Sequence, residues 1–405
     1  MATEQLFVNV VIILVSARLL GEIFHRMKLP SLVGELLAGI IIGPSILSLV
    51  LPNEDLTVLS NLSVFFLMFL TGLEMDPREI RGAGLRSCLL SIIAFSVPMV
   101  SGFFACQILG LPTIQSLFMG LLLSITAVPV SAVVLMEFGM LKTKLGTTVI
   151  TAAVVNDILS LIVLSIIFQL NDPVTGGIIN LNKIIDSIIK ISAFIGGIFL
   201  VDMIFRKSSN WLPVRVAPFF QKLQTKEAAF GILLISTIVI SLIAQSVIGL
   251  YFIIGTFFSG LIVYKEIIRK QNYERVYGVI SAVTFGFFAP IFFANMGISI
   301  NVGVLSQSIP LFAALLLVAV LSKVFAGYTG ARILRFSKYE SLTIAHLMNG
   351  RGMVELVIAS IGFGSGLIDL NLFSIAVLIG FITTIMAPLF SRKYVLKIKS
   401  EMTNN

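Results

Sequence analysis

Apolar runs of about twenty residues follow one another along almost the whole chain, separated by short loops. A helix of about 20 apolar residues crosses the hydrocarbon core of a bilayer. Backbone at that depth must satisfy its own hydrogen bonds, so helices are the spanning element such runs can form. Thirteen runs can be placed, at 5–26, 30–51, 56–74, 86–110, 114–139, 145–170, 182–205, 226–246, 249–264, 275–299, 307–332, 341–365 and 370–391. Charged residues make up 12% of the 405, against about 25% in soluble domains. The expected fold class is therefore an all-α membrane protein with thirteen transmembrane helices. The first run is long enough to span and follows an acidic start, so it reads as a span and not as a cleaved leader. No nucleotide-binding or regulatory domain is read in the short tail.

The net charge of +8 is a matter of topology, not of a nucleic-acid surface. Of 28 Lys and Arg, 23 lie in alternate loops or in the tail. They are Arg26 and Lys28; Arg78, Arg81 and Arg86; Lys142 and Lys144; Arg206, Lys207, Arg215, Lys222 and Lys226; Lys265, Arg269, Lys270 and Arg275; Arg332, Arg335 and Lys338; and Arg392, Lys393, Lys397 and Lys399. The opposite loops carry Lys183 and the stretch PNED. Positive loops stay inside, which puts the N-terminus outside and the C-terminus in the cytoplasm of a cell-membrane protein. Cys88 and Cys106 lie eighteen residues apart on one helix, about 27 Å at 1.5 Å per residue, and cannot pair within the chain. Two cysteines make no metal framework.

Few ionisable residues fall deep in the runs: Glu35, Asp157, Lys323, Arg351 and Glu355. Each is costly in lipid and must face protein or water. Asp157 lies near the middle of "TAAVVNDILSLIVLSIIF", next to Asn156. A central carboxylate can hold either a proton or a metal cation, and Asn156 offers a neutral carbonyl oxygen beside it. A helix-packing role for the pair is the alternative. "SITAVPVSAVV" interrupts the fifth run at Pro129, which removes a backbone donor and frees carbonyls near Ile125. Hard monovalent cations favour oxygen ligands, so Thr126 and those carbonyls can complete a Na+ site with Asp157; a proline kink alone is the plainer reading. In the twelfth run, "LMNGRGMVELVIA" sets Arg351 and Glu355 at i and i+4 on one face, as an intrahelical pair or as a gating element. Lys323 sits mid-run, where it either balances Asp157 or carries a proton itself. His25 and His346 are assigned no role.

Internal repetition is visible. "LVGELLAGIIIG" resembles "LYFIIGTFFSGLIV", aligning Gly39 with Gly260, and "FLMFLTGLEMDP" resembles "FFANMGISIN", aligning Gly72 with Gly297. The break at Pro129 aligns with the one at Arg351, and the three offsets are 221, 225 and 222. A shift of seven spans reverses orientation, so the expectation is two inverted six-helix repeats with a site at midplane where broken helices meet.

These residues resemble the monovalent cation:proton antiporter superfamily, specifically its second family, the NapA- and GerN-like sodium/proton antiporters. "LPSLVGELLAGIIIGPSIL" and "FLTGLEMD" look like its second- and third-helix motifs, "TAVPV" like its unwound crossing segment, "VVND" like its ion-binding pair and "NGRGMVEL" like the partner crossing segment. The resemblance implies an NhaA/NapA-like fold with two crossing broken helices. It implies dimerisation-domain helices 1–3 over 1–85, core-domain helices 4–6 over 86–170 and a linker helix 7 over 171–225. Dimerisation-domain helices 8–10 then cover 226–300, and core helices 11–13 with a short tail cover 301–405. The core would move as an elevator in a homodimer. Asp157 carries over as the ion and proton carboxylate, Thr126 as a ligand and Lys323 as the core-helix lysine. Relatives with two adjacent aspartates pair that lysine with the first, where this chain has Asn156; family members with Asn-Asp are associated with electroneutral exchange. The expected function is exchange of Na+ for H+, with no cofactor. Alternatives are a K+/H+ antiporter, a Kef-like potassium efflux protein, or a sodium-coupled symporter for an organic solute. No nucleophile–base pair or metal cluster points to an enzyme.

Overall fold

The computed structural model describes residues 2–75, 84–170, 189–190, 193, 196–197, 228–248, 250–262, 270–300, 302–303 and 308–403. Among them the regular structure is helical: α1 (Ala2–Arg26), α2 (Ser31–Ile42), α3 (Glu54–Glu74), α4 (Leu85–Ile108), α5 (Thr113–Ser124), α6 (Val128–Glu137), α7 (Lys144–Leu170), α8 (Ala228–Ile243), α9 (Phe252–Ile262), α10 (Lys270–Val283), α11 (Ala289–Ser299), α12 (Ile309–Ile333), α13 (Lys338–Met348), α14 (Met353–Gly364) and α15 (Leu370–Thr403). Single π-helical turns extend α8 over Ala244–Ile248 and join α10 to α11 over Thr284–Phe288. Eight helices or helix pairs among the described residues are long and apolar enough to cross a membrane, and α2, α8 and α9 belong to shorter apolar stretches. Most of the seventh expected span and of the linker expected over 171–225 lies outside the described residues.

The apolar faces turn outward as well as inward. Phe7, Val11, Val15 and Leu19 form an exposed stripe along α1, and Leu317, Leu321 and Phe325 another along α12. In water such patches would drive association; in a bilayer they meet lipid.

Three segments depart from the sequence reading. The second span, expected over 30–51, is helical only to Ile42. The chain then turns, with Ser48 at φ 52°, the amides of Leu49 and Val50 bonded to Ile42 O, and Ser45 Oγ bonded to Ile300 O at 2.7 Å. The last helix, expected to end near 391, runs to Thr403. Its basic end stays helical because Val395 and Ile398, three positions apart, are buried in a cluster with Phe336, Ile344 and Leu145. Arg351 and Glu355 do not share a helix face, since Arg351 precedes the start of α14 at Met353.

The chain divides into two compact units. In the first (Met1–Thr57, Glu79–Ile167, Phe293–Asn405), α4 packs on α5 and α12, α13 on α12 and α15, and α1 on α2. There a Cβ on Gly39 would lie 1.9 Å from Ala294 O, and one on Gly297 would lie 2.2 Å from Leu36 O. In the second unit (Val58–Arg78, Phe168–Phe292), a Cβ on Gly72 would lie 2.0 Å from Phe257 O, and one on Gly260 would lie 2.4 Å from Phe69 O. Each glycine thus faces the carbonyl three residues before its partner glycine. The same close crossing occurs twice, and the second pair is the one that the sequence offsets assign as equivalent to the first.

Candidate functional site

Two spans of the first unit are broken in the middle. α5 stops at Ser124 and α6 starts at Val128, with Pro129 in its first turn, where a missing N–H costs nothing. α13 stops at Met348 and α14 starts after Gly352. The extended links between them are tied together: Ala127 N donates to Gly350 O at 2.8 Å, Thr126 Oγ1 to Met348 O at 3.1 Å and Ser131 Oγ to Leu347 O at 3.0 Å. A Cβ on Gly352 would sit 2.7 Å from that of Ala127, so the approach requires glycine there.

A helix end leaves four carbonyls without intrahelical donors. At the end of α5 these are Leu121 to Ser124, buried, and side chains reach all four. Ser124 Oγ donates to Leu121 O at 2.6 Å. Arg351 Nη1 donates to Leu122 O at 2.5 Å and its Nη2 to Leu123 O at 2.8 Å. Ser124 O accepts from Asn156 Nδ2 at 3.2 Å and also from Lys323 Nζ. Two cations therefore meet the negative end of the α5 dipole. Lys323 Nζ donates further to Ala94 O on α4 at 3.0 Å. Arg351 Nη1 also reaches Glu355 Oε1 at 3.0 Å, and Arg351 O accepts from Thr384 Oγ1 at 2.7 Å.

The sequence-selected residues thus come together: Asn156, Asp157, Thr126, Lys323, Arg351 and Glu355 are all buried around the two breaks. Glu35, the fifth deep ionisable residue, is buried on α2 beside Gly21 of α1 and takes no part. Asp157, 2% exposed, has its Oδ1 without a hydrogen-bond partner, and so does the neighbouring Asn156 Oδ1. Glu355 Oε2 and Asn349 Oδ1 are likewise buried and unbonded. Buried acceptors without donors are rare and costly. Two of them belong to successive residues of α7, one of which is bonded to the end of α5, and oxygens of this kind suit a proton or a hard cation. Among the described residues no cluster of three or more His, Cys, Asp or Glu could hold a metal.

Sequence reasoning pointed to freed carbonyls near Ile125, among which Ser124 O falls, but it missed the carbonyl of Ala94 and the hydroxyls of Ser131 and Thr384. What the reading did not assign is that Asn156 and Lys323 cap Ser124 O. Thr384 gave no signal; it is one of many hydroxyls in apolar helices.

A family model described as "Sodium/hydrogen exchanger, transmembrane" matches residues 11–395. The chain is 30% identical over 388 residues to the Na+/H+-K+ antiporter GerN of Bacillus cereus, covering 95% of each. It is 29% identical to a Na+/H+ antiporter of Enterococcus hirae, over 96% of this chain and 97% of that one. To the Na+/H+ antiporter NhaS4 of Synechocystis it is 31% identical, over 95% of this chain and 96% of that one. In fold it matches the sodium proton antiporter MjNhaP1 of Methanocaldococcus jannaschii with a TM-score of 0.76 at 17% identity, over 98% of this chain and 99% of that one.

Proposed function

The chain belongs to the sodium/hydrogen exchanger family, a family of multi-pass cation/proton antiporters, and on that premise we propose that it exchanges Na+ for H+ across the cell membrane at Asp157. One observation carries the assignment of the site: Asn156 and Asp157, successive residues of α7, each keep a buried and unbonded Oδ1, and the Asn156 amide is bonded to the capped end of α5 through Ser124 O. Asp157 holds the cation or the proton, one at a time. Asn156 Oδ1 and the Thr126 hydroxyl oxygen supply neutral ligands; Thr126 spends its proton on Met348 O and keeps its lone pairs. Lys323 and Arg351 hold the broken helix in shape, and Glu355 neutralises Arg351.

In this reading thirteen spans form two inverted repeats, with the N-terminus outside and the C-terminus in the cytoplasm. The chain is a homodimer in which the core (helices 4–6 and 11–13) moves as an elevator against helices 1–3 and 8–10. The repeated glycine crossing supports the duplication.

The test is purified protein in liposomes loaded with a pH-sensitive dye and challenged in turn with Na+, Li+ and K+. Na+ is expected to release protons. Silence toward every monovalent cation would defeat the reading. The name of the Bacillus cereus relative includes K+, so K+/H+ exchange is the second reading, and a response to K+ alone would select it.

A further inference from the structure

Away from the site, one carboxylate holds two cations drawn from distant parts of the chain. Glu137 is the last residue of α6, the second half of the broken fifth span. Its Oε1 accepts from Lys28 Nζ at 3.0 Å and its Oε2 from Arg392 Nη2 at 2.9 Å. Arg392 Nη2 also donates to the backbone carbonyl of Lys28 at 3.1 Å, which closes the three residues into a ring. Lys28 occupies the turn between α1 and α2 at φ 59°, a region that few non-glycine residues adopt. The amides of Lys28 and Leu29 fix that turn by bonding to His25 O at 2.8 Å and Phe24 O at 2.9 Å. Arg392 lies on α15, which packs on α6.

An isolated exposed ion pair contributes little, and the Lys28 side chain is 65% exposed. This arrangement differs in two ways. Both oxygens of one carboxylate are engaged, and the ring closes through a carbonyl that a left-handed turn holds in place. Its position gives it consequence. In the elevator reading, α1 and α2 belong to the domain that stays still, whereas α6 and α15 belong to the one that moves. A bond between them must break in every cycle. Since α6 continues directly from Thr126 and Ala127, the ring tethers the segment that leads out of the ion site.

We propose that Lys28, Glu137 and Arg392 form a latch that holds the transporter in the state seen here and limits how fast the core moves. The proposal rests on the elevator reading. The latch lies at the end of the bundle assigned to the cytoplasm and is open to salt, so cytoplasmic ionic strength sets its strength.

The experiment uses the full chain in liposomes, with dye-reported Na+/H+ exchange followed at low and high choline chloride. Glu137→Gln, Lys28→Gln and Arg392→Gln should each speed turnover at low salt by about two- to fivefold, the range of one exposed pair, with unchanged apparent Na+ affinity. The Glu137→Gln/Arg392→Gln double variant should gain less than the two single gains combined, because both changes remove the Glu137–Arg392 bond and only Arg392→Gln also removes the bond to Lys28 O. Added choline chloride should speed the wild type and leave Glu137→Gln unmoved. Wild-type rates in the three single variants, or gains that add, overturn the latch. Amide hydrogen exchange over residues 24–30 gives a second readout that needs no transport. It should quicken in Glu137→Gln, and unchanged exchange also overturns the latch. A wild type inert toward every cation would overturn the proposed exchange activity and leave the ring itself to be judged by amide exchange alone.

Discussion

Asn156 Nδ2 donates to the backbone carbonyl of Ser124 at 3.2 Å, while Asn156 Oδ1 is buried and unbonded. The reverse orientation would set two acceptor oxygens against each other. The carbonyl that ends α5 therefore fixes which way the amide points, and it leaves Oδ1 available as an acceptor. Asn156→Ala should weaken apparent Na+ affinity by about ten- to a hundredfold, the loss of one ligand whose cost in a dry site is a few kcal/mol. Asp157→Ala should abolish exchange while the protein still folds. A Na+ titration of dye-reported exchange checks both, and an Asn156→Ala variant with wild-type affinity would remove Asn156 from the ligand set.

Thr126 makes a separate prediction, because its hydroxyl has two jobs. Thr126→Val removes a ligand oxygen and also leaves Met348 O, buried, without that donor. The expected result is lower apparent Na+ affinity together with a stability loss of about 1–3 kcal/mol. Thr126→Ser should restore both. If thermal stability falls while Na+ affinity holds, Thr126 ties the two breaks together and does not touch the ion.

Arg351 is buried with Glu355 at 3.0 Å and caps two carbonyls of α5. Removing one member of a buried pair strands the other, at about 3–5 kcal/mol. Arg351→Met should therefore be severely destabilised in a thermal-unfolding assay. Arg351→Met/Glu355→Leu should recover part of that loss, since no lone charge remains. A double variant worse than the single one would mean that the carbonyl caps, and not the ion pair, dominate at this position.

Much of this arrangement could be read from the sequence. Residues of a type that lipid rejects had to face protein or water, and Asp157, Lys323, Arg351 and Glu355 are all buried inside the protein, as is Glu35 on α2 away from them. The break at Pro129 was visible because proline removes a backbone donor in a stretch that also carries Ser124 and Thr126, whereas Pro98 and Pro388 lie within unbroken helices. The partners of Lys323 were not visible: they are backbone carbonyls of Ala94 and Ser124, and every residue carries a carbonyl. The helical tail beyond 391 was hidden for a related reason. Its basic composition reads as a solvated end, whereas Val395 and Ile398 supply the buried face. The early end of α2 was likewise masked, because the apolar residues of Ile46–Val50 look the same to a hydropathy count whether helical or turned.

The paired glycine crossings predict that symmetry extends to stability. Gly39→Val and Gly260→Val occupy equivalent positions, and their added Cβ atoms would lie 1.9 Å from Ala294 O and 2.4 Å from Phe69 O. Backbone cannot yield that far, so both should lower the melting temperature severely or prevent folding. Gly278, inside α10 where an added Cβ would meet nothing within 4 Å, serves as the control: Gly278→Ala should melt at or above the wild-type temperature, since alanine is the better helix former. Tolerance at Gly39 with collapse at Gly260 would break the symmetry argument.

Charge balance gives the last prediction. The buried set contains two acids, Asp157 and Glu355, and two bases, Lys323 and Arg351. If all four are charged, the empty site is neutral. Binding Na+ adds one positive charge, and binding a proton to Asp157 adds one as well, so the loaded core carries the same charge in both directions. The exchange is then one for one and the net transfer is zero. A membrane potential acts with about 2.3 kcal/mol per charge per 100 mV, and it should neither drive nor oppose such a cycle. Lys323 would change this only by releasing its proton when the cation binds. Its ammonium donates to two carbonyls that belong to the scaffold, and Asn156 offers it no acid to trade with, so it is expected to keep its charge. Liposomes with a Na+ gradient and a valinomycin-clamped potential test this directly: rates and end-points should be unmoved from zero to about 100 mV, in keeping with that figure. Asn156→Asp places a second acid beside the first and should make the same assay respond to potential. A potential-dependent wild type would show that Lys323 shares in proton transfer and that its bonds to Ala94 O and Ser124 O are broken in each cycle.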